Sequence, residues 1–277
     1  MNAQGLDAKN FYEKWSSKES ILIMHDIRAG KRKAEQLIQF IQKNLPDIRF
    51  KNMIDYGCGF GSVLTTLQDK RIIVKGLGFD CSEHAIKIAS SSKNDGLNFF
   101  CLPQLEISNN IQFVKDTTKR ELGVDKVDGI ILFDLLEHVP DCIDLIERLS
   151  EVTDTFIIKL PLEKSILDNY VLNKPYPGSG HYNGHLREFD VNNVRYFIRT
   201  LGLVPIIESH YKYDIRDAFP PQCFRAKDWE RAIKFNLLKV FKYTMSLLLP
   251  NKWFLRLIGG GFYICVAKFD RKLLLRP

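Results

Sequence analysis

Asp55, Gly57, Gly59 and Gly61 occupy every second position of "DYGCGFG", directly after the apolar pair "MI" and ahead of "SVLTTL". Glycines at a strand end let the backbone turn sharply and approach a ligand, and the helix beyond offers free N–H groups to an anion. A dinucleotide turn of the GxGxxG kind would carry its third glycine where Ser62 stands. Asp55 would also repel a pyrophosphate, whereas it would attract an ammonium or a sulfonium. S-adenosylmethionine carries both, with a carboxylate suited to the helix end, and is the expected ligand. Asp80, in "GLGFDCS", follows at an interval from which an acid can accept hydrogen bonds from both ribose hydroxyls. Cys58, inside the turn, and Cys81, beside Asp80, belong to the same expected cofactor set. Asp116, after "IQFV", is expected to end a third strand and to face the adenine amine.

A second group of reactive side chains lies in "FDLLEHVPD", with Phe133 and Asp134 expected beside the cofactor and Glu137 and His138 beyond them. If the expected ligand donates its methyl group, the transfer is an in-line displacement from the sulfonium, for which a protein would mainly supply alignment and exclusion of water. A hydroxyl acceptor must in addition lose a proton, and histidine titrates near the working pH. His138 is the first candidate for that role, with Glu137 beside it. His185 and His181, in "HYNGHLREFD", are the next.

Elements that would position these groups alternate along the chain. "AEQLIQFIQKNL" sets Leu37, Ile38, Ile41 and Leu45 on one face of a helix within residues 8–44. "NMIDYG", "RIIVKGLGFD", "IQFVKD", "GIILFD" and "TFIIKLP" read as strands, most of them followed by helical patterns, and 94–110 reads as a loop-like insertion. This is the pattern of an α/β fold, a parallel sheet with helices on both faces. After Pro161 a rim loop over 172–184 leads to a helix in "DVNNVRYFIRTLG", a strand in "LVPIIESHY" and a closing strand in "GGFYICVAKF". Tyr12 and Trp15 either close over the cofactor or pack the first helix on the sheet.

With these motifs in order, residues 50–160, and more loosely 181–210, resemble class I S-adenosylmethionine-dependent methyltransferases. The resemblance rests on Asp55-x-Gly57-x-Gly59-x-Gly61, then Asp80, then "FDLLEHVPD". It implies a doubly wound, Rossmann-like sheet of seven strands, mostly parallel with an antiparallel last strand. The implied organisation is one domain: a helical cap over 1–50, a cofactor-binding core over 51–210, a basic aromatic insertion or lid over 211–258, and the last strand and tail over 259–277. "LEHVPD" with a later histidine looks most like the O-methyltransferases of ubiquinone biosynthesis. The acceptor is then a hydroxyl of a small or lipid-linked molecule, such as a sugar, a phenol or a quinone precursor. Asp134, Glu137 and His138 are also similar to a Glu-x-x-Glu-His cluster that implies a divalent metal such as magnesium, with His185 or His181 completing it. Asp134 departs from that pattern, being one methylene shorter than Glu. The same cluster occurs in methyltransferases of RNA ribose, which makes RNA the rival acceptor, and an idle cofactor-fold module is the other alternative.

Charge is segregated. Residues 209–277 hold 14 Lys and Arg against 5 Asp and Glu, whereas residues 1–208 hold 26 against 28. The basic stretch 225–258 mixes these cations with Phe, Trp, Tyr and Leu, which suits either a lid or a helix lying in a membrane interface. Nucleic acid is not expected, since no aromatic-basic RNA module is present. Six cysteines stand singly, without disulfide or zinc spacing. No leader-like apolar segment opens the chain and no run of about 18 apolar residues occurs, so a cytoplasmic protein, with at most peripheral membrane contact, is expected.

Overall fold

A computed structural model of the chain describes residues 20–91, 94–102, 107–167, 185–212 and 229–274. Tyr12, Trp15 and His181 lie outside them. Seven strands form one sheet: β1 (Phe50–Tyr56), β2 (Ile73–Asp80), β3 (Leu97–Cys101), β4 (Gly129–Phe133), β5 (Thr155–Leu162), β6 (Leu203–Lys212) and β7 (Gly261–Phe269). Their order is β3-β2-β1-β4-β5-β7-β6. β1 to β5 pair in parallel, and β7 runs antiparallel between β5 and β6. This is the doubly wound sheet with an antiparallel last strand that the motifs imply.

Strands buried on both faces read as nearly continuous apolar runs, and their alternation feeds two cores. In β4, Ile130 and Leu132 join one core, and Ile131 and Phe133 the other. The second core is closed by α1 (Ser20–Asn44) and α2 (Ser62–Asp69). In α1, Ala34, Leu37, Ile38 and Ile41 recur at helical spacing and are buried. The first core is closed by α4 (Ile107–Leu122), α5 (Cys142–Leu149) and α6 (Asn193–Thr200). α3 (Glu83–Ser91) lies between β2 and β3 in the chain. Between β6 and β7 come α7 (Trp229–Leu248) and α8 (Asn251–Leu257). Among the described residues no helix is long and apolar enough to cross a membrane.

One element differs from the sequence reading, and a site residue moves with it. "IQFVKD" is not the third strand but the middle of α4, and the strand is "LNFFC" at 97–101, inside the stretch read as an insertion. A four-residue apolar run has no period of its own. Over the full helix, buried Ile111, Val114 and Thr118 fall at i, i+3 and i+7. Asp116 therefore does not end a strand. It sits on α4, where its Oδ1 accepts a hydrogen bond from Gln112 Nε2 one turn earlier, at 2.8 Å.

Candidate cofactor cleft and acceptor site

The strand order reverses between β1 and β4, and in such sheets ligands bind beyond the carboxyl ends of the strands at that point. β1 ends there in Asp55 and the glycine turn. Gly57 and Cys58 donate backbone hydrogen bonds to the Phe79 carbonyl at 2.7 and 3.0 Å, and Gly61 donates to Cys58 O, which tightens the turn into α2. Gly61 is left-handed (φ 73°), and a Cβ there would stand 2.6 Å from the Phe99 ring, so only glycine fits. Gly59 is also left-handed (φ 50°), but among the described residues a Cβ on it would meet nothing within 4 Å, so the turn is open to them at this residue. From β2, Asp80 reaches across: its Oδ2 accepts from Gly59 N at 2.8 Å and its Oδ1 from Ser82 N at 2.9 Å.

Asp55 is buried, and among the described residues its Oδ2 has no hydrogen-bond partner. Burial and then the charge of Asp80 push its carboxyl up to about 7, an effect that the Lys33 ammonium opposes. Buried polar groups are ordinarily paired, so an orphaned carboxylate oxygen beside an open glycine turn fits a cationic ligand. Burial also raises Asp80, against the pull of the Ser82 and Gly59 N–H groups, and raises the Cys58 thiol.

Beyond β4, Asp134 is left-handed (φ 49°) and held between two lysines. Lys159 Nζ, buried in β5, donates to Oδ1 and Oδ2 at 2.9 and 3.0 Å, and Lys33 Nζ, from α1, lies 2.7 Å from Oδ2. Burial alone would raise Asp134. The charges of Lys159 and Lys33 overcome it and hold the carboxyl well below the usual range. Lys159 also packs over the Phe262 ring at 4.8 Å.

The turn that follows carries Glu137, fully buried, and neither of its oxygens finds a partner among the described residues. Burial, followed by the Asp134 charge, raises it well above an ordinary carboxyl. Glu137, His138 and His185 each offer one ligand atom, all within 4.8 Å of one another. Asp134, counted with them from the sequence, is not in this group; its oxygens are held by two ammonium groups instead. His185 opens the described segment 185–212, which a bridge between Leu162 and Phe189 lays alongside β5. Its Nδ1 lies 2.6 Å from Glu163 Oε2, and its ring meets that of His138 edge-on at 4.7 Å. Arg187 fixes the Glu137 turn: its guanidinium donates to the carbonyls of Leu136, Val139 and Pro140, while Leu186 N donates to Glu137 O at 2.8 Å.

The structure thus gathers Asp55, Gly57, Cys58, Gly59, Gly61, Asp80 and Cys81 around one strand-end turn, and Asp134, Glu137, His138 and His185 around the next. Lys33, Lys159, Glu163 and Arg187 were missed. Only Lys159 carries a local signal, a charge inside the apolar run "TFIIKLP". The others meet their partners across 22 to 101 residues, where no short pattern reaches.

A family model described as a methyltransferase domain matches residues 28–205. No curated protein matches the chain. Solved structures share its fold at low identity. One is from the complex of the Haloferax volcanii Trm112 methyltransferase activator with a methyltransferase (15% identity, 94% of this chain and 98% of that one, TM-score 0.55). A second is a Leishmania major SAM-dependent methyltransferase (12%, 96% and 83%, TM-score 0.55). A third is the plantazolicin methyltransferase BpumL in complex with SAH (17%, 96% of each chain, TM-score 0.51).

Proposed function

The chain belongs to the methyltransferase-domain family of the class I, S-adenosylmethionine-dependent fold, and from that premise we propose that it methylates a hydroxyl of a small or lipid-linked molecule. S-adenosylmethionine, when bound, supplies a methyl group made electrophilic by its sulfonium. In this reading Asp55 attracts the cationic portion, Asp80 accepts from the ribose, and Gly59 leaves room for both. The Lys33–Asp134–Lys159 group holds the floor of the cleft.

The observation that carries the acceptor reading is the His185–Glu163 contact of 2.6 Å. Glu163 orients the ring, and Nε2 takes the proton as the acceptor oxygen becomes the nucleophile. His138, edge-on to it, frames the same space. The test is turnover with S-adenosylmethionine and a panel of phenols, sugars and quinone precursors, with products read by mass spectrometry. A methyl ether is expected. His185→Ala should lower kcat by about 10²–10⁴-fold and leave the affinity for S-adenosylhomocysteine unchanged. A product methylated at nitrogen or carbon would replace the hydroxyl reading.

A second reading is favoured by Glu137, whose two orphaned oxygens and two histidine neighbours suit a divalent cation. Glu137, His138 and His185 would hold it, and it would lower the pKa of the acceptor hydroxyl. Metal analysis of the purified protein, with activity before and after chelation, separates the two. Full activity in metal-free protein leaves the histidine base.

A further inference from the structure

α7 has two unlike sides. Met245 and Leu249 pack against the core. Leu237, Val240, Phe241, Leu247 and Leu248 are between 42% and 69% exposed. At helical geometry these five fall within about 120° of arc, turned away from the packed side. Single exposed apolar residues need no explanation, but a contiguous stripe marks a contact surface. α8 extends it with exposed Lys252, Trp253 and Arg256. The C-terminal end of α7 is tied to the sheet. Lys212, the last residue of β6, donates to the carbonyls of Ser246 and Leu249 at 2.7 and 2.8 Å and lies over the Phe254 ring.

Charge selects the occupant. The exposed cations that adjoin the stripe are Lys252 and Arg256 on α8, and residues 209–277 as a whole hold 14 Lys and Arg against 5 Asp and Glu. A symmetric contact with a second copy would bring Lys252 and Arg256 toward their own images, like charge toward like charge. An apolar stripe with lysine, arginine and tryptophan at its margin instead matches an anionic lipid surface, which takes leucine and phenylalanine into the acyl boundary and cations at the headgroups.

We infer that α7 and α8 form an interfacial anchor that seats the protein on an anionic bilayer. Lys212 ties this anchor to the carboxyl end of β6, which runs parallel to β5, so the anchor adjoins the rim on which the candidate site opens. The inference deepens the lipid-linked branch of the proposed function and rests on it only for the identity of the acceptor.

The experiment is co-sedimentation of the full chain with vesicles of phosphatidylcholine, with and without about 30% phosphatidylserine. Binding to the anionic vesicles, weakened by salt, is expected. A Leu247→Asp, Leu248→Asp double variant should lose at least about 10-fold in affinity, with its thermal melt and its binding of S-adenosylhomocysteine unchanged. Three results would overturn the inference: no binding to anionic vesicles, binding indifferent to the double variant, or a wild-type dimer in light scattering that the variant makes monomeric. Vesicle binding without any hydroxyl methylation would sink the acceptor reading alone. Methylation without vesicle binding would sink this inference alone.

Discussion

Asp55 holds a carboxyl pushed up to about 7 by burial and by Asp80, and the sign of that shift has consequences. The unfolded chain loses this proton near pH 4, whereas the folded, cofactor-free chain keeps it to about pH 7. Cofactor-free stability therefore falls as pH rises through that window. An ammonium ligand favours the ionised form, so binding should release a proton near neutrality. S-adenosylhomocysteine is expected to bind up to about tenfold more tightly at pH 8 than at pH 6. Calorimetry in buffers of different ionisation heat reads the released proton, and Asp55→Asn should flatten the profile. Asp134 makes the opposite case. It neutralises Lys159, whose side chain is 2% exposed, so Asp134→Ala takes from a buried ammonium the carboxylate that accepts two of its hydrogen bonds. That should cost about 3–5 kcal/mol in chemical denaturation, and a loss within error of zero would deny the triad its structural part.

At the scale of elements, the glycine turn separates two jobs that look alike in "GCGFG". Gly61→Ala would drive a Cβ into the Phe99 ring from a left-handed backbone, with an expected loss of about 2–4 kcal/mol of stability. Gly59→Ala carries only the backbone strain, about 1–2 kcal/mol, but projects its methyl into the open space over the turn. Its larger effect should be on S-adenosylhomocysteine affinity, so denaturation and ligand titration on the same two variants test the assignment. Normal binding by Gly59→Ala would move the cofactor away from this turn. The turn was legible because strand, glycines and helix follow one another without a break. The neighbouring β3 and α4 were not, since "IQFV" is too short to show whether its period is two or 3.6, and the residues that settle it lie along the whole helix.

The whole molecule is one sheet between two cores, and α1 belongs to both its stability and its site. Leu37 fills the second core with no exposed surface, while Lys33, one turn earlier, reaches Asp134 at the strand ends. Leu37→Ala should cost about 2–5 kcal/mol and, by loosening the helix that carries Lys33, should also weaken binding of S-adenosylhomocysteine. A variant that loses stability yet binds normally would uncouple the helix from the cleft.

Spacing between near neighbours was enough to reveal each strand and helix, the glycine turn and the acid ahead of it, because each is a property of a dozen or so consecutive residues, and the alternation of those elements along the chain implied the parallel sheet. Which charges meet was settled only by the folded chain. Lys33 closes on Asp134, Glu163 on His185 and Arg187 on the Glu137 turn. These pairings depend on strand order and on the side from which each helix packs, and such long-range geometry leaves no local pattern to read.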